Sequence, residues 1–207
     1  MNIPHQIKTI DEFNEITLTE KKSNFIAQVY SVSSENEVKE NLSRSKKKYF
    51  NASHHCYAFK LANGTLRYSD AGEPAGTAGI RILNAIEHFK LSNQLVIVSR
   101  LFGGIKLGVG PLGKAYYSAA IKVLDESTIT NKQLYQKVTI KSAFDHTNLI
   151  HRILSAEQSV IINSEYLEDL TINCLIRSKD LDSISQKLLL LSKNKIILIP
   201  HQEFYYK

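Results

Sequence analysis

The sequence predicts an α+β protein of two domains, and three observations predict it. The last third of the chain alternates strand-like and helix-like patterns in the order βαββαβ. The first two thirds mix buried-strand runs with amphipathic helices around two glycine-rich stretches. Between them Glu126 to Lys132 is polar and helix-breaking, so the expected domains are residues 1–130 and 131–207.

In the N-terminal part, residues 23–32 (SNFIAQVYSV) and 53–62 (SHHCYAFKLA) have the composition of strands. A polar helix opens between them at Ser34 and ends near Lys46-Lys47-Lys48, where cations complement a helix C-terminus. A hairpin around Asn63-Gly64 leads into LRYS. Thr77 is expected to open a helix carrying Ile82, Leu83, Ile86 and Phe89, followed by a buried strand at Leu95 to Ser99. Leu112, Ala115, Tyr116, Ala119 and Val123 have the spacing of one further amphipathic helix.

In the C-terminal part a strand over 134–141 precedes a helix over 145–157, with Asp145 as the expected N-cap. A strand around 158–165 turns at Glu168-Asp169 into a strictly alternating run, with Leu170, Ile172, Cys174 and Ile176 on one face. Leu181, Ile184, Leu188 and Leu191 then recur at helical spacing, and Lys195 to Ile199 closes the order with a strand. This is the ferredoxin-like arrangement, an antiparallel sheet with two helices on one face.

Composition narrows the function classes. With 207 residues, 43% apolar and 22% charged, the chain has the make-up of a globular protein. No window approaches the ~18 uninterrupted apolar residues of a membrane span, and no signal-like N-terminus is present, so no membrane partner and a cytoplasmic location are expected. Two distant cysteines, Cys56 and Cys174, fit a reducing compartment. The net charge of +6 is concentrated before residue 133 and favours an anionic partner such as RNA.

Two stretches can carry chemistry. Ser69 to Gly79 (SDAGEPAGTAG) is either a ligand loop, with Asp70, Glu73 and Thr77 as candidates beside His54, or a tight connection. In the latter, Asp70 and Glu73 satisfy backbone donors and Thr77 caps the helix. Arg100 to Lys114 packs five glycines and three cations between a strand and a helix. Its candidate nucleic-acid contacts are Arg100, Lys106 and Lys114 with the backbone at Gly103, Gly104, Gly108 and Gly110. Gly108 to Lys114 fits the start of a phosphate-binding P-loop, but Ala115 lacks the hydroxyl that would hold Mg²⁺. His54-His55-Cys56 offers too few ligands for a metal site, and no nucleophile stands in a recognisable elbow. Neither a metal nor a cofactor is expected, and a binding role is favoured over an enzymatic one.

ASHHCYAF (52–59), SDAGEPAGTAG (69–79) and VSRLFGGIKLGVGPLGKAY (98–116) resemble, in order and spacing, the Impact family and its bacterial YigZ-like branch. The resemblance covers roughly residues 15–125. It implies an N-terminal domain with the fold of a ribosomal small-subunit protein's second domain, shared with domain IV of elongation factor G, and a C-terminal domain like that factor's domain V. Eukaryotic relatives regulate translation through protein–protein contact, by competing for an activator of a stress-responsive kinase. The resemblance thus implies a translation-associated protein that binds RNA or the ribosome. A protein-interaction module and an enzyme or nucleotide binder using the same loops are the alternatives. Ala71, Leu101, Pro111 and Lys114 stand where the family commonly has aspartate, tyrosine, glycine and arginine. Losing the aspartate weakens a two-carboxylate mechanism, and lysine keeps the charge without the bidentate fork.

Overall fold

The computed structural model describes residues 3–207, and the chain divides into two compact units with the boundary between Asn131 and Lys132. In the first unit, β1 (Gln6–Ile10), β2 (Asn14–Glu20) and β3 (Ser23–Ser31) precede α1 (Glu35–Lys48). Next come β4 (His54–Lys60), β5 (Leu66–Ser69), α2 (Gly79–His88), β6 (Gln94–Leu101) and α3 (Val109–Asp125). The sheet has the order β2-β3-β6-β4-β5, antiparallel at every step. Its central strands β3 and β6 are buried on both faces, which accounts for near-continuous apolar runs in place of alternation.

One face packs under α2 and α3 in a core built from Phe25, Ala27, Val29, Cys56, Ala58, Val96 and Val98. The other lies under α1, where Tyr30, Phe59, Leu95 and Ile97 meet Val38. The Ser34 hydroxyl accepts from the Glu37 amide to start α1, and the Glu37 carboxylate in turn accepts from Ser33 N–H at 2.8 Å. Gly79 begins α2 directly against β5: a Cβ there would lie 2.7 Å from the Ser69 backbone, so only glycine lets helix and strand approach this closely.

β7 (Ile129–Ser142) starts where a polar linker was expected. Its opening residues are held by β1, with the Thr130 hydroxyl donating to the Thr9 carbonyl. β1 and β2 are additions to the predicted elements. They are short and rich in polar residues, and only their pairing with neighbours makes them strands.

In the second unit β7 is followed by a 3-10 turn (Phe144–His146), α4 (Thr147–Ala156), β8 (Val160–Tyr166), β9 (Leu170–Arg177), α5 (Leu181–Leu191) and β10 (Ile197–Tyr206). Pairings β10-β7, β7-β9 and β8-β9 are antiparallel, giving the order β10-β7-β9-β8. Both helices pack on one face: Ile150, Ile153, Leu154, Ile184 and Leu188 meet Val138, Ile140, Ile172, Cys174 and Ile176. Two boundaries differ from expectation. Asp145 lies in the 3-10 turn and does not cap α4. β10 extends past Pro200 through a register shift before Phe204, an irregularity an edge strand tolerates. Among the described residues no helix is long and apolar enough to cross a membrane.

The Gly79 contact yields a test. Gly79→Ala should lower unfolding stability by about 1–3 kcal/mol, because two backbone segments must separate. Gly64→Ala, at positive φ but with nothing within 4 Å, should cost only about 1 kcal/mol. Urea unfolding of the two variants measures the difference.

Candidate functional site

The two glycine-rich stretches meet at one end of the first unit's sheet, and a buried polar cluster joins them. In β6, Val96, Val98 and Arg100 point to the α2/α3 face, which carries Arg100 inward rather than into solvent. Arg100 is 6% exposed, and its Nη1 donates to Glu73 Oε1 at 2.8 Å. The Tyr116 hydroxyl of α3 donates to the same oxygen, also at 2.8 Å. The guanidinium lies 5.5 Å from the Phe25 ring centroid and 5.3 Å from that of Phe102, so two aromatic faces take the place of water around the cation.

Asp70 acts on the backbone. Its Oδ1 accepts from the amides of Ala78 and Gly79 and its Oδ2 from that of Gly76, so this carboxylate starts α2. Partial burial raises its pKa, but the three backbone bonds outweigh that and hold it below the ordinary aspartate range. Thr77, the expected cap, is buried and donates to the Pro74 carbonyl instead. Glu73, expected to satisfy backbone donors, is committed to Arg100 and Tyr116.

His54 Nδ1 is 2.9 Å from the Ala71 carbonyl, an acceptor only, so that nitrogen carries the proton. Nε2 faces Glu73 Oε2 at 3.9 Å, too long for a hydrogen bond, and is left for another partner. Cys56 Sγ donates to the Asp70 carbonyl, and burial pushes its thiol up to about 12, so it is a structural thiol and not a nucleophile. Burial first, then Cys56 and Glu73, likewise raise the Tyr116 phenol and keep it a donor.

From the candidates, the structure thus assembles His54, Glu73 and Arg100 around one cavity, while Asp70 and Thr77 hold the loop's shape. The cavity, about 480 Å³, is also walled by Phe102, Lys106 and Leu107 and closed by the start of α3. Gly103 sits where a Cβ would overlap the Lys22 carbonyl, and its amide donates to Ser23 Oγ. Gly108 takes φ +85° as the residue before α3, with no side chain capping the helix. Gly104 and Gly110 face open space. Lys106 and Lys114 are exposed.

Three cations escaped the sequence reading. Lys21 shares a hollow with Gly110 and Lys114, Arg81 another with Gly113 and Lys114, and Lys22 abuts Gly103. Lys21-Lys22 is a tight turn between two strands, visible only once β2 is known. For Arg100 the signal was available, since strand parity within LVIVSRL sets it on the face of Val96 and Val98. Tyr116 carried no signal beyond its place in an apolar helical stripe. Among the described residues no group of three or more His, Cys, Asp or Glu is gathered to hold a metal.

The family model for the Impact N-terminal domain matches residues 21–124. The chain is 28% identical over 193 residues to the IMPACT family member YvyE of Bacillus subtilis, covering 92% of this chain and 89% of that protein. It is 28% identical over 187 residues to the IMPACT family member YigZ of Escherichia coli, covering 88% and 92%. A solved structure described as that of an hypothetical protein superposes with a TM-score of 0.70 at 26% identity, over 97% of this chain and 99% of that one.

The depressed Asp70 pKa fixes the sign of a pH effect. A carboxylate held below its unfolded value stabilises the fold fully above ordinary aspartate titration, near pH 3.9, and loses that contribution as pH falls through the folded value. Asp70→Ala should therefore cost about 1–2 kcal/mol at pH 7. The gap from wild type should begin to close below about pH 4 in urea unfolding followed as a function of pH.

Proposed function

The chain belongs to the Impact family, and from that premise we propose that it is a cytoplasmic, translation-associated binding protein whose N-terminal unit engages the phosphate backbone of RNA, free or on the ribosome. Membership associates it with translational regulation. The observation that carries the RNA reading is the gathering of exposed cations around the glycine loop. Lys106 stands at the cavity beside the start of α3, and Lys114 separates the two hollows that hold Lys21 and Arg81. Glu20 is the only carboxylate lining those two hollows.

Phosphate oxygens suit this surface. They accept from lysine at many angles, and a helix start without a side-chain cap offers further N–H donors. Arg100 contributes indirectly, since its pairing with Glu73 fixes the strand from which the loop departs. Such contacts position a protein on a backbone without reading sequence.

A salt titration of single-stranded RNA binding tests the reading. Each phosphate contact contributes a log–log slope of roughly −0.7, so replacing Lys106 and Lys114 by alanine should flatten the slope by roughly one to two units. Affinity should fall alike for all sequences, with stability unchanged. Identical slopes in wild type and double variant would contradict it. Weak, charge-independent RNA binding together with a protein partner lost in Phe102→Ala would instead favour a protein-interaction module.

A further inference from the structure

The cavity beside the basic loop is not a phosphate groove. Its walls include Pro74, Phe102, Leu107, Val109 and Leu112, yet Glu73 and Arg100 reach it from below. Leu107 and Leu112 are core residues at the cavity's edge, but backbone recognition alone would leave the exposed Phe102 and Val109 without a role. Phe102 is 47% exposed although the Arg100 guanidinium lies beneath its ring, so the rest of that ring is open to an incoming flat group.

One polar feature gives the floor direction. Glu73 Oε2 is an acceptor, as is His54 Nε2 in the neutral ring with its proton on Nδ1, and the two lie 3.9 Å apart with no hydrogen bond between them. At the rim, Lys106 and the uncapped first amides of α3 favour an anion. A planar group with a donor-bearing edge on one side and a phosphate on the other satisfies all of these at once. A volume of about 480 Å³ lies within the range of small-molecule pockets.

We propose that this cavity receives one unstacked nucleotide of the bound RNA, its base against Phe102 with its amino edge toward His54 and Glu73, and its phosphate at Lys106 and the start of α3. The inference rests on the RNA reading above and adds base capture to backbone contact. Bases splayed from single strands are commonly held by aromatic stacking, which tolerates sequence because every base has a π-face.

The test compares a nonamer of adenosine ribonucleotides with the same backbone lacking every base, bound to the full chain at fixed salt. Wild type should prefer the intact nonamer by roughly five- to 150-fold, the range of stacking one base. Phe102→Ala should bring that ratio near one without changing affinity for the baseless backbone. A cooperative melting transition would show that the variant is folded even where loss of the ring over Arg100 lowers its midpoint, and Phe102→Tyr should retain the preference. Equal binding of the two oligomers by wild type would overturn base capture while leaving phosphate engagement intact. Binding of neither would overturn both. A ratio that survives Phe102→Ala would also overturn it, as would adenosine monophosphate binding as tightly as the nonamer, which would assign the cavity to a free nucleotide.

Discussion

The buried ion pair between Arg100 and Glu73 is the constraint on which the rest of this end of the molecule depends. Both side chains are almost wholly removed from water, and such a pair is tolerable only when geometry and further hydrogen bonds offset the lost hydration. Here the carboxylate also accepts from Tyr116 and the guanidinium is flanked by Phe25 and Phe102. One contact thereby ties three elements together: the end of β6, the 70–79 loop, and α3. With β6 and α3 both fixed, the glycine-rich loop between them is anchored at each end. Its lysines are then held outward by a scaffold that uses the inward charges for cohesion.

That division of labour explains why charged residues so close in sequence do different work. Arg100 and Lys106 are six positions apart, but one continues a buried strand face and the other stands in a loop at the cavity rim. Asp70 and Glu73 divide likewise. The first is spent on three backbone amides that start α2, and the second on the ion pair. Cys56, which invites a nucleophilic or metal-ligand role beside two histidines, is a core thiol bonded to the Asp70 carbonyl. What remains for ligands is the exposed lysines, the uncapped start of α3, and an apolar hollow with unused polar atoms at its base.

Much of the fold was legible because long periodic segments impose their own structure. The helix from Ser34, the buried run LVIVS, and the βαββαβ order after residue 131 all follow from spacing. β1 and β2 were not legible, since QIKTI and NEITLTE become strands through partners distant in sequence. Helix starts were misassigned where capping is not local. Asp70 reaches eight and nine residues forward to Ala78 and Gly79, a connection no short motif encodes, and the nearer Thr77 looked like the cap. The site was half visible: glycines and lysines announced the loop, whereas Tyr116, Ser23 and Arg81 join it only through tertiary contact.

The central claim is that Arg100 and Glu73 act on each other as a structural unit. A double-mutant cycle of Glu73→Gln and Arg100→Met, read by urea unfolding of the first unit through its β6 amides, measures this most directly. Each single change strands a buried partner and should cost about 3–5 kcal/mol. The double variant should lose at least about 2 kcal/mol less than the two costs combined, within the range seen for residues in one network. Costs that add to within about 0.5 kcal/mol would mean the two side chains act independently, and would contradict the account.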